Sequence, residues 1–150
     1  MNDTHQARPR RARAGVVATI AALLLPLGAG CGANRGTNSP ENFDAGMLEE
    51  VGELYRTTAS RLRRPPGSLK DLAGGKEMFL LGYNAVARGD IVVYWGVTPA
   101  PGDQPTDEVL AYKADVPTAG GPALLTNTTI RPMNADQFRA APKPPGKTSK

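Results

Sequence analysis

"DIVVYWGV", residues 90–97, is nearly continuous in β-branched and aromatic side chains. Such a run suits a pleated surface and strains a helix, because branching at Cβ restricts the rotamers open against the preceding helical turn. It is of strand length, and Gly89-Asp90 before it is a turn signal. The run reads as a central strand covered on at least one face, with Ile91, Val93 and Trp95 pointing one way and Val92 and Tyr94 the other. Downstream the same grammar repeats at short intervals. The loop TPAPGDQPTD (98–107) leads to a second strand, EVLAYK (108–113), and after PTAGG comes a third, PALLT (122–126). A turn at Asn127-Thr128 opens a fourth, TIRPM (129–133), where Pro132 cannot donate to a ladder and so places the strand at an edge. Asn134 with Gln137 three residues on is a reciprocal capping pair for a short last helix carrying Phe138.

Upstream the period changes. Met47, Leu48, Val51, Leu54, Tyr55 and Leu62 recur at three- and four-residue spacings, the stripe of an amphipathic helix. Asp44 is its expected N-cap and Pro65-Pro66 its stop. Acids (Glu49, Glu50, Glu53) crowd the first half and bases (Arg56, Arg61, Arg63, Arg64) the second, the order that the helix dipole favours. Those charges read as a solvated outer face. RLRRPP and the basic tail PKPPGKTSK could touch acidic lipid or wall polymer, but solvated ends are the preferred reading. A heptad through Leu48, Val51, Tyr55, Thr58 and Leu62 is too short, and broken by Thr58, to make a coiled coil. In PPGSLKDL, Ser68 is placed to cap one helical turn carrying Leu69 and Leu72. GGKEMFLLGYNAVARGD then reads as a loop followed by a helical piece from Tyr83 to Arg88. The expected class is α+β: an N-terminal amphipathic helix on an antiparallel meander of about four strands, with a short C-terminal helix.

The chain has 150 residues, of which 14 are Pro and 17 Gly, clustered in the tails and between apolar runs. This is one small domain with loop-rich ends. Its divisions read as a leader (1–30), a flexible polar tether (31–43), the domain (44–141) and an unpacked basic tail, PKPPGKTSK (142–150).

The leader has three zones. Arg8, Arg10, Arg11 and Arg13 precede an apolar run of 13 residues, GVVATIAALLLPL, and Gly28-Ala29-Gly30 ends it directly before Cys31. Such a run suits a signal-peptide core and is shorter than the roughly 20 residues that span a bilayer. Arg10-Arg11 lacks the flanking residues of a twin-arginine signal. A cysteine after three small residues resembles the lipobox of bacterial lipoproteins, although Gly28 stands where that motif usually has Leu. The resemblance implies that Cys31 is acylated (palmitate or a similar chain) and becomes the first residue. Two or more chains then hold the protein on the cell membrane or outer membrane, facing the periplasm or the exterior. A plain secreted protein cut nearby, or an uncleaved anchor, is the competing reading.

Of 18 lysines and arginines four lie in residues 1–31, and of 14 acids only Asp3 does. The remaining 14 against 13 is close to balance, so the apparent pI near 9.5 belongs to the leader. No concentrated positive face for nucleic acid is expected.

The one histidine is His5, so with the leader gone and Cys31 acylated neither imidazole nor thiol is left. That removes Ser-His-Asp and Cys-His catalysis and histidine- or thiolate-bound zinc. No glycine-rich phosphate loop is present. No catalytic residue and no cofactor is expected. Asp90, Asp103, Asp107, Glu108 and Asp115 gather around the hairpin. Asp103, Asp107 and Glu108 are the candidates for Ca²⁺, at a spacing that fits no dedicated calcium loop, and acids flanking strands ordinarily serve turns and solubility. Tyr94, Trp95 and Tyr112 are placed to stack a sugar or base, or to fill the space beneath the first helix. In a chain with eight aromatics the second reading is preferred.

From PPGSLKDL through DIVVYWG to VLAYKADVPTAGGPALLTNTTIRPMNADQF the chain resembles small exported bacterial proteins, often lipoproteins, of planctomycete-type genomes. Their C-terminal half is similar to the β-rich globular part of type II secretion pseudopilins. The resemblance implies a fold and an exported location and no catalytic residue. Two departures bear on it. The long unbroken apolar helix of a pseudopilin is missing, so filament formation is not carried over, and Asn127-Thr128 stands where relatives tend to have Asp-Gly. The expected function is that of a lipid-anchored, non-enzymatic envelope protein that binds other envelope proteins or wall polymer. The alternative is a ligand- or Ca²⁺-binding module, with an enzyme behind both.

Overall fold

The computed structural model describes residues 40–149. Lys150, the leader, Cys31 and the tether as far as residue 39 lie outside the described residues. The first helix, α1 (Pro40–Leu62), starts four residues before the expected Asp44 cap. Proline suits a first turn, where its missing N–H would have had no partner. Asp44 instead lies within the helix and pairs with Lys113 Nζ at 2.9 Å, so residues 40–43 belong to the helix and not to the tether. The apolar stripe packs as expected: Met47, Leu48, Val51, Leu54 and Tyr55 are buried, Thr58 with them, and Leu62 is half-buried. α1 ends as Arg63 turns left-handed (φ 57°), a conformation that helices usually give to glycine.

The chain then doubles back through α2 (Leu69–Leu72), a 3-10 turn (Ala73–Gly75) and α3 (Leu80–Arg88) along α1. Ser68 does not cap α2; its side chain makes no cap bond. Asp71 instead folds back over the turn before α2, taking the Gly67 N–H at 2.7 Å and both arms of Arg64. Where α3 meets α1, Gly82 lies so close that a Cβ there would stand 2.9 Å from Val51 N. Its N–H donates to Glu50 Oε2 at 2.9 Å.

Four antiparallel strands follow in sequential order: β1 (Ile91–Val93), β2 (Val109–Lys113), β3 (Gly121–Leu125) and β4 (Ile130–Met133). Pro132 lies on an edge strand, as its missing donor requires. β1 is not central as expected; it is the other edge, and only three residues long. Its alternation nevertheless holds, with Ile91, Val93 and Trp95 buried against α1. Between Val109 and Ala111 the register with β3 slips by one residue, so Leu110 is an extra residue in β2. That bulge lets Leu110 and Ala111 both join the α1-side core, while Val109 and Tyr112 turn to the opposite face.

The opposite face is not left to solvent. A single turn, α4 (Val116–Ala119), which the sequence did not announce, and α5 (Ala135–Ala140) cover it. Val109, Val116, Ala123, Leu125, Met133 and Phe138 form a second core there. The Asn134/Gln137 capping box that starts α5 is complete, with bonds of 2.8 and 2.9 Å. The described residues thus stack in three layers, helix on sheet on helix.

The tail corrects the sequence reading most sharply. PKPPGKTSK was expected to hang unpacked. Pro142 O instead accepts from Val109 N–H (3.0 Å), and residues 147–149 pair along the open edge of β1 and the two residues after it: Trp95 N–H donates to Lys147 O (2.8 Å) and Ser149 N–H to Val93 O (2.9 Å). Val93 N–H donates to Ser149 Oγ (2.9 Å), and Thr148 bridges Tyr94 antiparallel. Pro144 is buried. Backbone groups need no hydrophobic pattern to pair, and an edge strand offers them unpaired partners.

Tyr55 ties the layers to the loops. Its ring stacks on Trp95, centroids 6.4 Å apart, and its hydroxyl accepts from Val97 N–H and reaches Val97 O, both at 3.0 Å. Burial pushes this phenol up to about 12, the Val97 bond pulling the other way. A folded-state value above the unfolded one (about 10) stabilises the fold fully only while the unfolded chain keeps its proton. Stability therefore holds to about pH 10 and falls between about pH 10 and 12, by roughly 2–3 kcal/mol for this group. Denaturant midpoints measured across that window check it. Tyr55→Phe should reduce the slope without abolishing it, because the Tyr94 phenol is raised into the same window, and an unchanged slope would mean that the Tyr55 hydroxyl does not contribute.

Candidate functional site

Two surface features adjoin α1, and the sequence did not bring either of them out. At its C-terminal end, Arg56, Arg63 and Arg64 face the loop after β1 across a groove of about 590 Å³. Thr98, Pro99, Ala100, Pro101 and Gly102 form the facing wall, Ser60 lies between, and no acid lines the groove. The loop is held from behind. Ala100 N–H donates to Thr126 O (2.9 Å), Asn127 Nδ2 donates to Gln104 O (2.9 Å), and the Thr106 and Thr126 hydroxyls meet at 3.2 Å.

The three arginines differ in freedom. Arg56 pairs with Glu53 at 2.5 Å within the helix. Arg64 grips Asp71 with both terminal nitrogens, at 3.0 and 3.1 Å, and that bond with the Gly67 N–H holds the Asp71 carboxyl below its ordinary range. Arg61 turns away to Asp71 O at 3.1 Å. Arg63 is exposed and makes no hydrogen bond or ion pair among the described residues, its guanidinium presented by the left-handed turn. A rigid wall opposite guanidinium groups suits an extended ligand with carboxylate or phosphate groups, which arginine binds through paired N–H donors. The groove holds no nucleophile–base pair.

The carboxylates around the hairpin do not gather. Asp107 is taken by Arg131 at 2.5 Å, Asp115 by Lys113 at 3.3 Å and Asp90 by Arg88 at 2.7 Å. Asp103 is exposed in the loop, and Glu108 is half-buried with its N–H on Thr106 Oγ1. Among the described residues no three His, Cys, Asp or Glu side chains are placed to hold a metal ion. A second groove of about 340 Å³ lies between β4 and α5, with Asp107 and Arg131 on its wall already paired and Gln137 committed to the cap.

The three conspicuous aromatics divide between the two faces. Trp95 fills the space beneath α1, as the sequence reading preferred. Tyr94 and Tyr112 instead turn to the α5 side, in a row with Phe138 (6.0 and 4.6 Å between centroids). Burial, then the Tyr112 hydroxyl, pushes the Tyr94 phenol up to about 12. Lys143 lies over the Phe138 ring, 4.4 Å from its centroid, and its ammonium donates to the carbonyls of Phe138, Arg139 and Ala141 at the end of α5. Partial burial lowers its pKa.

Four large apolar side chains are exposed among the described residues. Phe43 stands at the start of α1, and Met78, Leu80 and Leu81 lie in and after the turn that opens α3. Sequence reading weighed RLRRPP as a contact for acidic lipid or wall polymer but preferred a solvated end, and it passed over "MFLL" as loop. The signal for the second was four consecutive large apolar residues outside any strand pattern. Comparison with protein-family models, curated proteins and solved structures finds no match to this chain.

Proposed function

We propose that this chain is a lipid-anchored, non-enzymatic envelope protein, fastened at Cys31 to the cell membrane or outer membrane and acting as a binding module that faces the periplasm or the exterior. One observation carries the reading: Gly28-Ala29-Gly30-Cys31 follows directly on a basic stretch and a 13-residue apolar run. Eight polar or small residues then lead to Pro40, where the folded domain begins. After Cys31 the sequence contains no histidine and no second cysteine. A binding role draws support from the acid-free arginine groove at the far end of α1, whose chemistry fits an acidic wall polymer or an acidic segment of another envelope protein.

Intact mass of the membrane-extracted protein tests the anchor. The expected mass lacks residues 1–30 and carries acyl chains. Cys31→Ser should leave the leader attached and block acylation. A leader retained in the unsubstituted protein, or an unmodified Cys31, overturns the reading.

A further inference from the structure

We propose that the groove at the C-terminal end of α1 takes an anionic glycan, with Arg63 binding its carboxylate or phosphate groups and the proline-rich loop after β1 facing its sugar rings. This rests on the binding-module reading above, not on the anchor, and deepens it by naming the ligand class and the side chain that recognises it.

At Arg63 backbone and side chain disagree. Its φ of 57° is left-handed, a conformation that presses Cβ toward the following carbonyl and that helix ends ordinarily fill with glycine. Among the described residues the other non-glycine with positive φ is Thr128 (φ 66°). Thr128 closes the β3–β4 hairpin, where its N–H donates to Leu125 O and Leu125 N–H to Thr129 O, both at 2.9 Å. Three-residue hairpin loops set that position left-handed, so the turn accounts for it. Arg63 has no such duty, since its exposed side chain bonds to nothing among the described residues. Strain kept at a residue whose side chain the fold does not use points to a use outside the fold.

Charge narrows the choice to the same residue. Of the three guanidinium groups that line the groove, Arg56 is answered by Glu53 and Arg64 by Asp71. Asp103, next in the chain after the wall, is not among the lining residues. Arg63 is left to take an incoming anion, which guanidinium holds through two parallel N–H bonds.

The wall selects glycan over peptide. An extended peptide gains affinity by pairing its backbone with alternating N–H and C=O groups. Pro99 and Pro101 have no N–H, and that of Ala100 is taken by Thr126 O at 2.9 Å. The middle of the wall therefore presents carbonyls and pyrrolidine rings without a donor. Sugar hydroxyls donate as well as accept, so they pair with such a wall while their C–H faces lie on the prolines. The bonds of Gln104 and Thr106 behind the loop set the wall before any ligand arrives.

The test uses the full processed chain, extracted in non-ionic detergent and titrated by calorimetry with oligogalacturonate, phosphomannan, neutral mannan and polyglutamate. At least one of the two anionic glycans should bind, about tenfold or more tighter than neutral mannan or polyglutamate, and the stronger of the two identifies carboxylate or phosphate as the group recognised. Arg63→Gly should lower that affinity by about tenfold or more, the loss of a charge-assisted contact. Its melting temperature should hold or rise, by up to about 4 °C, because glycine relieves the left-handed turn. Polyglutamate bound as tightly as the glycans assigns the groove to an acidic peptide, which overturns this inference and leaves the binding-module reading standing. Full affinity in Arg63→Gly overturns it as well. So does a melting temperature that falls together with the affinity, because Arg63 would then serve the helix end. Binding of none of the four probes ends both this inference and the module reading.

Discussion

Deleting residues 144–150 should lower the stability of the domain by about 3 kcal/mol, from three lost hydrogen bonds at roughly 1 kcal/mol each. For a domain near 110 residues that is a fall in melting temperature of about 12 °C, at roughly 4 °C per kcal/mol. The three bonds are those from Trp95 N–H to Lys147 O, from Ser149 N–H to Val93 O, and from Val93 N–H to Ser149 Oγ. Val93 is fully buried and Trp95 only 8% exposed, so the deletion also wets one side of the α1-side core. The cut spares Lys143 and with it the end of α5. A second effect follows from the bared edge of β1, which offers an unpaired ladder to other chains. The truncated protein should therefore gain a tendency to self-associate that rises with concentration. Calorimetry and sedimentation of the two lengths check both. A melting temperature within about 2 °C of the full chain would mean that the tail is not held.

Leu124→Ala should cost about 4 kcal/mol, at the upper end for a buried leucine. Leu124 has no exposed surface and lies where α1 crosses β3. The helix comes close there because residue 52 is glycine: a Cβ at Gly52 would lie 3.3 Å from Leu124 Cδ1. Helix backbone walls one side of the vacated space and the paired sheet the other, so little can collapse into it. The same geometry predicts coupling. Gly52→Ala alone gains about 1 kcal/mol of helix propensity and loses much of it to the tight contact. In the Leu124→Ala background the contact is gone, and Gly52→Ala should recover the full gain and fill part of the void. A denaturant double-mutant cycle should show a coupling of about 1 kcal/mol. Strict additivity would mean that the two side chains do not meet.

Legibility in the sequence followed the range of the forces. The stripe of α1, the parity of β1, the edge position of Pro132 and the Asn134/Gln137 cap are set by residues within a few positions of one another, and each was readable. Features made by distant partners were not. Asp44 is a good cap in isolation but is drawn into an ion pair with Lys113, almost seventy residues on. Ser68 makes no cap bond, and the turn before α2 is held instead by Asp71, through Arg64 and the Gly67 N–H. The bulge at Leu110 breaks the alternation that assigns faces, and the second core beneath α5 depends on it. The tail could not be read at all, because its pairing uses backbone groups that every sequence has. For the surfaces, composition identified the arginines but not the loop opposite them, and Phe43, Met78, Leu80 and Leu81 look ordinary until their exposure is known.

The paired tail also decides how the domain would respond to a pull. Ser149 is the tail's outermost partner and Lys147 its innermost, so a pull that peels the tail away from the sheet breaks the bonds to Val93 first and the bond to Trp95 last. α1 begins at the opposite extremity of the covalent path, beside the stretch that leads to Cys31. Such a pull would strip the edge of β1 first, while the buried sheet and the long helix stayed intact. The Trp95 N–H would lose its partner at the end of that step, with its ring still stacked on Tyr55 beneath α1.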